Sequence, residues 1–191
     1  MNFMRKIIYH VATTLDGFIA HNDGSFVGFL PKGDHVADFL DSIKHYGAIL
    51  MGKNTYEVGY TYGMKPGDPA YADFNADMKN YVFSRSAAFE SNNRVQLVRE
   101  NEIDFIKNLK TEPGKDIWLC GGGALAGSLL HNELIDELWL KLNPVVFGSG
   151  ITLFGDNKQK IDLVFLNSKT YESGVLLLQY KISYHSPYQS S

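Results

Sequence analysis

The residues best suited to chemistry are three consecutive glycines, Gly121, Gly122 and Gly123, which follow an apolar stretch and precede a predicted helix that begins at Ala124. A helix start exposes unpaired N–H groups and carries about half a positive charge. Without side chains, the backbone at such a corner can approach a bulky anion closely. A tight strand-to-helix turn needs only one glycine, so three in a row favour a phosphate-binding corner over a purely structural turn.

Two common nucleotide-binding motifs are absent from this corner. The dinucleotide fingerprint G-x-G-x-x-G fails because the third residue after Gly123 is Ala126. No Gly-Lys-Ser/Thr follows the glycines, so the P-loop pattern fails as well. A Rossmann fold is therefore not the first choice.

A second stretch, Gly52-Lys53-Asn54-Thr55-Tyr56-Glu57, also follows a short apolar run. Lys53 supplies a positive charge and Thr55 supplies a hydroxyl, and both suit a phosphate bound at the start of a helix. The alternative is an ordinary helix N-cap beside a solvated lysine. The sequence does not decide between the two.

A third stretch places Arg85 between Ser84 and Ser86 at the end of a predicted strand. A guanidinium group binds phosphate bidentately, and the flanking hydroxyls suit the remaining oxygens. The alternative is a surface arginine in a turn. If the sheet brings the three strand ends side by side, they form a pyrophosphate cradle with a cationic site for an additional phosphate. That is the charge pattern of an NADP-type dinucleotide.

The elements that must position these residues follow from hydrophobic periodicity. The predicted strands cover residues 6–12, 18–20, 48–51, 81–83, 95–98, 117–120, 138–147, 163–171 and 175–184. The predicted helices cover residues 34–46, 53–62, 101–110 and 124–131. Strands alternate with helices until the final two strands, which predict a hairpin. This order predicts an α/β fold: a three-layer α/β/α sandwich with a mostly parallel sheet and a C-terminal antiparallel hairpin.

Composition fits one globular domain that spans residues 1–191. Hydrophobic residues make up 45% of the chain and charged residues 20%, which excludes a disordered protein, a collagen and a coiled coil. The six histidines show no H-x-x-x-H or H-E-x-x-H spacing, so no metal site is expected.

Charge and hydropathy bear on partners and location. Lys plus Arg number 18 and Asp plus Glu number 21, and no basic stripe is present, so nucleic-acid binding is not expected. No stretch approaches the roughly 20 apolar residues of a membrane helix. The beginning of the chain lacks the apolar region of a signal peptide. With a single cysteine, Cys120, these features favour the cytoplasm.

Five motifs together resemble the dihydrofolate reductase-like family, most closely its branch related to the reductase domain of riboflavin biosynthesis. In chain order they begin at Thr14 (TLDGFIA), Met51 (MGKNTYE), Val82 (VFSRS), Gly121 (GGG) and Asn143 (NPVVFGSG). The resemblance covers nearly the whole chain. The zinc deaminase that often accompanies this reductase has an H-x-E and P-C-x-x-C signature, which is absent here.

The resemblance implies a fold that binds NADPH. Ala12 and Ile19 would then hold the nicotinamide carboxamide through backbone groups. The implied phosphate, adenosine and pyrophosphate contacts are Gly52, Lys53, Thr55, Ser84, Arg85, Gly121, Gly122, Gly123, Ala124 and Leu125. Lys53 stands where the family commonly has arginine, which leaves the strength of the preference for NADPH over NADH open.

The resemblance also implies an acid beside the substrate at the start of the first helix, which points to Asp34 as the catalytic residue. The alternative is that Asp34 is the N-cap of that helix, and Asp38, one turn further on, is the second candidate. Two aromatic pairs, Phe26 with Phe29 and Tyr56 with Tyr60, are candidates for lining a flat-ring pocket, with ordinary packing as the alternative.

The function implied is an NADPH-dependent reductase of a small heterocyclic substrate. It resembles 5-amino-6-(5-phosphoribosylamino)uracil reductase of riboflavin biosynthesis or dihydrofolate reductase. The alternative is a non-catalytic nucleotide-binding protein of the same fold. The C-terminal strands, which would form a sheet edge, also suggest a homodimer.

Overall fold

The computed structural model describes residues 4–184, and its centre is an eight-stranded sheet. The strands are β1 (Ile7–Thr13), β2 (Phe18–Ala20), β3 (Ala48–Gly52), β4 (Lys79–Phe83), β5 (Val95–Val98), β6 (Ile117–Gly121), β7 (Glu137–Leu142), β8 (Ile151–Thr152), β9 (Asp162–Thr170) and β10 (Leu176–Ser183). The helices are α1 (Asp34–Ser42), α2 (Lys53–Glu57), α3 (Glu102–Thr111) and α4 (Gly123–His131). Short 3-10 turns, Ile43–His45 and Val58–Tyr62, extend α1 and α2.

The strand order in the large sheet is β5-β4-β3-β6-β1-β7-β10-β9. The neighbours from β5 to β7 pair in parallel. Strand β10 runs antiparallel to both β7 and β9. The predicted parallel sheet with an antiparallel hairpin at its C-terminal end is therefore confirmed.

Helices cover both faces of the sheet, because successive strand residues point to opposite sides. Ile7 and Tyr9 of β1 pack in one core with residues of α3 and α4. Ile8, between them, packs in a second core with Trp118 and with residues of α1 and α2. The three-layer arrangement that the sequence predicts is confirmed.

The structure differs from the predicted elements in three places. Helix α1 begins after an N-cap at Gly33, and its regular turns end at Ser42. Strand β7 ends at Leu142 because Asn143 turns the chain and Pro144 has no N–H for a ladder hydrogen bond. The short strand β8 was not predicted, and it pairs with β2 in a separate two-stranded sheet.

Within residues 4–184, no helix combines the length and the apolar character needed to cross a bilayer.

Candidate cofactor and substrate site

The three predicted phosphate-binding stretches lie at neighbouring strand ends. Strand β3 sits between β4 and β6, and all three run parallel. Gly52 of β3 is in register with Phe83 of β4, and Met51 is in register with Gly121 of β6. The residues that follow these strands therefore emerge together at one edge of the sheet, where α/β folds bind their ligands.

Each of the three glycines at this edge occupies its position for a different structural reason. Gly121 has a φ of 122°, which side-chain-bearing residues rarely adopt. A Cβ on Gly123 would lie 2.2 Å from the Thr152 carbonyl oxygen, so this position is small because the chain packs against it. Gly122 is different: its φ is −81°, and a Cβ there would meet only the Thr55 hydroxyl, at 3.3 Å. The backbone conformation accounts for Gly121 and packing accounts for Gly123, whereas the space beside Gly122 is bounded only by the Thr55 hydroxyl.

That space lies between the first turns of α2 and α4. A Cβ on Gly52 would lie 3.8 Å from the Gly122 amide nitrogen, which is an ordinary contact distance. The first hydrogen bond of α4 is donated by Ala126 to the Gly122 carbonyl oxygen, at 3.0 Å. The amides of Gly123, Ala124 and Leu125 precede that bond, and the first turn of α4 contains no acidic residue. These amides are therefore suited to an anion.

Lys53 and Thr55 line the same space from α2. The Lys53 ammonium lies 3.5 Å from the Ser86 hydroxyl and 3.9 Å from the Glu57 carboxylate, and its side chain is partly exposed. Gly52 is the N-cap of α2, with no side-chain capping bond. The Thr55 hydroxyl makes no hydrogen bond to any of the residues 4–184. The Thr55 hydroxyl is free to donate to an oxyanion, and the Lys53 ammonium, whose two contacts are long, can also bind one.

Ser84 and Arg85 complete this edge after β4. The Ser84 hydroxyl oxygen accepts the N–H groups of Ser86 (3.1 Å) and Ala87 (3.0 Å), which fixes the turn. The Arg85 side chain is exposed, and in the described part of the chain its guanidinium has neither an ion pair nor a hydrogen bond. Arg99 donates to the Arg85 carbonyl oxygen at 3.3 Å, which adds a second guanidinium to the edge.

The loop after β1 is held by a carboxylate. Asp16 accepts hydrogen bonds from the Thr14 hydroxyl (2.5 Å), the Gly148 amide (2.7 Å) and the Phe147 amide (3.2 Å). The Thr14 hydroxyl and then these amides lower the pKa of Asp16. These hydrogen bonds join two of the five sequence motifs, those that begin at Thr14 and Asn143, and give both a structural role. It also fixes the chain between Ala12, on β1, and Ile19, buried on β2.

Two of the three acids of α1, Asp34 and Asp38, bind the hairpin that β9 and β10 form, and the third, Asp41, pairs with Lys44. Asp34 is the first helical residue, and its carboxylate accepts the amides of His35 (3.0 Å) and Glu172 (3.1 Å). The N-cap interpretation of Asp34 is therefore wrong. Asp38 pairs with Lys169 and accepts the Tyr171 hydroxyl at 3.0 Å. The hydrogen bond from Lys169 lowers the pKa of Asp38, which keeps it ionised.

The aromatic residues picked out from the sequence do not share one pocket. The Tyr56 side chain is buried in the core, and its hydroxyl donates to the Asp68 carbonyl oxygen at 2.7 Å. Tyr60 packs edge-on against Tyr56. Phe29 stacks with Phe147, 5.2 Å between ring centres, while Phe26 is exposed. Ordinary packing accounts for Tyr56, Tyr60 and Phe29.

A different aromatic wall, formed by Phe39, Tyr71 and Trp118, lies on the α1 side of the sheet, with Trp118 buried and the other two rings partly exposed. Phe39 of α1 packs edge-on against Trp118, at 5.5 Å between ring centres, and Tyr71 lies 4.9 Å from Trp118. The Lys141 ammonium lies 3.4 Å from the centre of the Phe39 ring. The sequence analysis did not single out Lys141. The signal was a lysine inside an otherwise apolar predicted strand.

The family model of the RibD C-terminal domain matches residues 5–177. The chain belongs to this family. Among relatives of this RibD C-terminal domain protein, YyaP of Bacillus subtilis (strain 168) is 36% identical over 183 residues, covering 92% of this chain and 94% of YyaP.

Two solved structures share the fold. A protein of Shewanella sp. PV-4, described as a candidate riboflavin biosynthesis protein, superposes with a TM-score of 0.74 at 22% identity, covering 94% of this chain and 99% of that one. Dihydrofolate reductase from Enterococcus faecalis, solved with NADP(H), superposes with a TM-score of 0.64 at 14% identity, covering 95% and 97%. The reductase-type fold that the sequence motifs imply is confirmed.

Proposed function

We propose that this RibD C-terminal domain protein is an NADPH-dependent reductase of a small heterocyclic substrate. The observation that carries the proposal is the meeting of three stretches at the ends of β4, β3 and β6. Within one edge they offer an exposed guanidinium, an ammonium, a free hydroxyl and the first amides of α4. These are donors for several phosphate oxygens, as a dinucleotide requires.

The residues at this edge fit a dinucleotide with an additional phosphate. The space that a side chain on Gly122 would fill lies between two helix starts, which suits a pyrophosphate held by amides 123–125 and by Thr55. Arg85, Ser84 and Lys53 would hold the phosphate at the adenosine end. Ala12 and Ile19 would hold the nicotinamide carboxamide through their backbone groups.

When bound, NADPH supplies a hydride to an unsaturated bond of the substrate. The chain must orient the two rings and exclude water above β6, β1 and β7. The partly exposed rings of Phe39 and Tyr71, packed against the buried Trp118, suit a flat ring. Asp34 remains our candidate for the acid that assists protonation, and solvent exposure at the start of α1 gives it access to protons.

The cofactor proposal is tested by titrating NADPH against intrinsic fluorescence. Both tryptophans of the chain, Trp118 and Trp139, lie on the α1 side of the sheet, so we expect quenching at micromolar NADPH. Arg85→Ala should weaken NADPH more than NADH, by about tenfold, since a charge-assisted hydrogen bond contributes about 1.5–3 kcal/mol. Lys107→Ala, an exposed cation on α3, is the control and should change neither affinity. No quenching by NADPH would contradict the proposal.

One observation supports the alternative of a nucleotide-binding protein without catalytic activity. Asp34 and Asp38, the two candidate acids, both hold α1 to the C-terminal hairpin. If they serve only that purpose, the protein binds the nucleotide without turning it over. Tight NADPH binding with no oxidation in the presence of any dihydropterin or oxidised pyrimidine substrate would favour this alternative.

The apolar edge of the sheet supports a homodimer. Within residues 4–184, strand β9 pairs only with β10, and it exposes four consecutive apolar residues, Leu163, Val164, Phe165 and Leu166, with Phe165 exposed by 59%. Consecutive residues of a strand point to opposite faces, so neither face of β9 is covered. A second copy of the chain, packed strand against strand, would cover this edge.

A further inference from the structure

Lys141 lies where the proposed nicotinamide and substrate rings would meet. It is in register with Ala12, near the C-terminal end of β1. Its side chain is on the same side of the sheet as Trp139 two residues earlier, and Trp139 packs against His10, 5.4 Å between ring centres. The ammonium lies over the Phe39 ring of α1, as described above. Lys141 is therefore part of the aromatic wall and next to the end of β1.

Nothing in the described chain neutralises this ammonium. No carboxylate of residues 4–184 lies within 4.0 Å of it, and it donates no hydrogen bond to these residues. The titratable groups that face it are His10 of β1 and Cys120 of β6. Burial, and then the charge of Lys141, lower the pKa of His10, whereas burial raises the pKa of the Cys120 thiol despite that charge. The three acids of α1 have other partners: Asp34 and Asp38 bind the C-terminal hairpin, and Asp41 pairs with Lys44. Lys141 therefore has three unused N–H donors.

A lysine in this position is unfavourable for the folded protein alone. Taking an ammonium out of water without a counter-ion costs free energy, and the face of one aromatic ring compensates only in part. Burial accordingly lowers the pKa of Lys141 to about 8. Perturbed, unpaired cations of this kind mark sites that meet a ligand. The group that would satisfy the Lys141 ammonium is a hydrogen-bond acceptor.

We propose, resting on the reductase function above, that Lys141 is the residue that selects the substrate, by donating hydrogen bonds to a carbonyl or anionic oxygen of its ring. Lys141 would thus contact the oxo heterocycle that the proposed reductase function already implies. A ring with amino groups at the same place would turn N–H donors towards the N–H donors of Lys141. A protonated ring would be repelled by the positive charge of the ammonium. Lys141 selects against such rings.

The probes are two pyrimidines measured by calorimetry on the NADP⁺-saturated protein. Orotate carries ring oxo groups and a carboxylate, and 2,4-diaminopyrimidine carries amino groups where orotate has oxo groups. We expect the wild type to bind orotate at least tenfold more tightly than 2,4-diaminopyrimidine. Lys141→Met should lose at least tenfold in orotate affinity, and Lys141→Arg, which keeps the charge, should retain most of it.

Two further measurements separate this role from a structural one. In a protein labelled with ¹³C at lysine Cε, orotate should raise the pKa of Lys141 by at least one unit, because an anion favours the ammonium form. A purely structural lysine would leave that resonance unchanged. Thermal unfolding of Lys141→Met checks that the variant is folded.

The outcomes distinguish the two proposals. If NADPH fails to quench the wild-type fluorescence, the reductase function fails. If NADPH binds wild type and Lys141→Met alike, but the variant binds orotate as wild type does, the role of Lys141 fails and the reductase function stands. Binding of neither ring by wild type, or a preference for 2,4-diaminopyrimidine, also overturns the role of Lys141.

Discussion

Gly122 and Gly123 are adjacent glycines with opposite roles, and replacing each with alanine should separate cofactor binding from packing. In Gly123→Ala the new methyl would lie 2.2 Å from the Thr152 carbonyl oxygen and 3.1 Å from the Gly155 amide nitrogen. Both are backbone atoms, so the turn between them must move. Such overpacking costs about 1–3 kcal/mol. For a chain of this length that corresponds to a fall in Tm of roughly 2–12 °C.

In Gly122→Ala the new methyl meets only the Thr55 hydroxyl, at 3.3 Å, and the φ of −81° suits any residue. The side chain of Thr55 can give by a few tenths of an ångström, so the free energy of unfolding should stay within about 0.5 kcal/mol of wild type. The methyl nevertheless fills the space proposed for the pyrophosphate. We expect at least a tenfold loss of NADPH affinity, equivalent to about 1.4 kcal/mol.

The assay combines thermal unfolding with NADPH quenching of tryptophan fluorescence on both variants, each serving as the control for the other. The expected pattern is a stability loss for Gly123→Ala and an affinity loss at nearly unchanged Tm for Gly122→Ala. A folded Gly122→Ala protein that binds NADPH like wild type would refute the pyrophosphate assignment. An unchanged Tm for Gly123→Ala would refute the packing argument.

Three further predictions follow from other parts of the molecule. Lys110 is buried and donates to the partly exposed Asp136 carboxylate and to the Leu134 carbonyl oxygen, and losing such charge-assisted hydrogen bonds costs about 1.5–3 kcal/mol. Lys110→Met should therefore lower Tm by roughly 3–12 °C, and a Tm within two degrees of wild type would contradict this. Burial, and then the charge of Lys141, lower the pKa of His10 to about 3 from the ordinary 6.5, so the stability that neutral His10 provides is present above pH 6.5 and is lost as the pH falls towards 3. The loss is on the order of 1 kcal/mol per pH unit below pH 6.5, and His10→Gln should show a shallower acid limb in urea unfolding between pH 6.5 and 4.5. Phe165→Lys on β9 should convert the proposed dimer to a monomer in sedimentation at micromolar protein, whereas Phe74→Lys, exposed elsewhere, should not; a wild-type protein that sediments as a monomer would end the dimer proposal.

Local patterns in the sequence predict most of the elements, because each depends on side chains a few residues apart. The apolar run of β5 gives Val95–Val98 without error, and the alternation of strands and helices gives the three layers. Strand β8 was missed because two residues carry no periodicity, and its pairing with β2 depends on a distant segment. The end of β7 was placed too far along because the apolar run continues beyond Asn143 and Pro144.

The candidate site was only partly predictable for the same reason. Glycines and an arginine at strand ends are visible in the sequence, and their meeting at one edge follows once β3 lies between β4 and β6. Contacts between side chains of elements that lie far apart in the sequence are not visible in this way. The sequence shows that Lys141 interrupts an apolar strand, but its lack of a carboxylate partner is seen only once Phe39 covers it and Asp34 and Asp38 bind the hairpin.

The position of β1 also has a consequence for biosynthesis. This first strand lies at the centre of the sheet, and both of its neighbours, β6 and β7, come from residues after Ile117. During translation this apolar strand therefore emerges before either neighbour, and it stays unpaired until β6 and β7 have been synthesised. Pairings this distant in sequence slow folding, and an unpaired apolar strand invites aggregation in the meantime. Chains truncated before β7 should accumulate as insoluble material or require a chaperone to hold that segment.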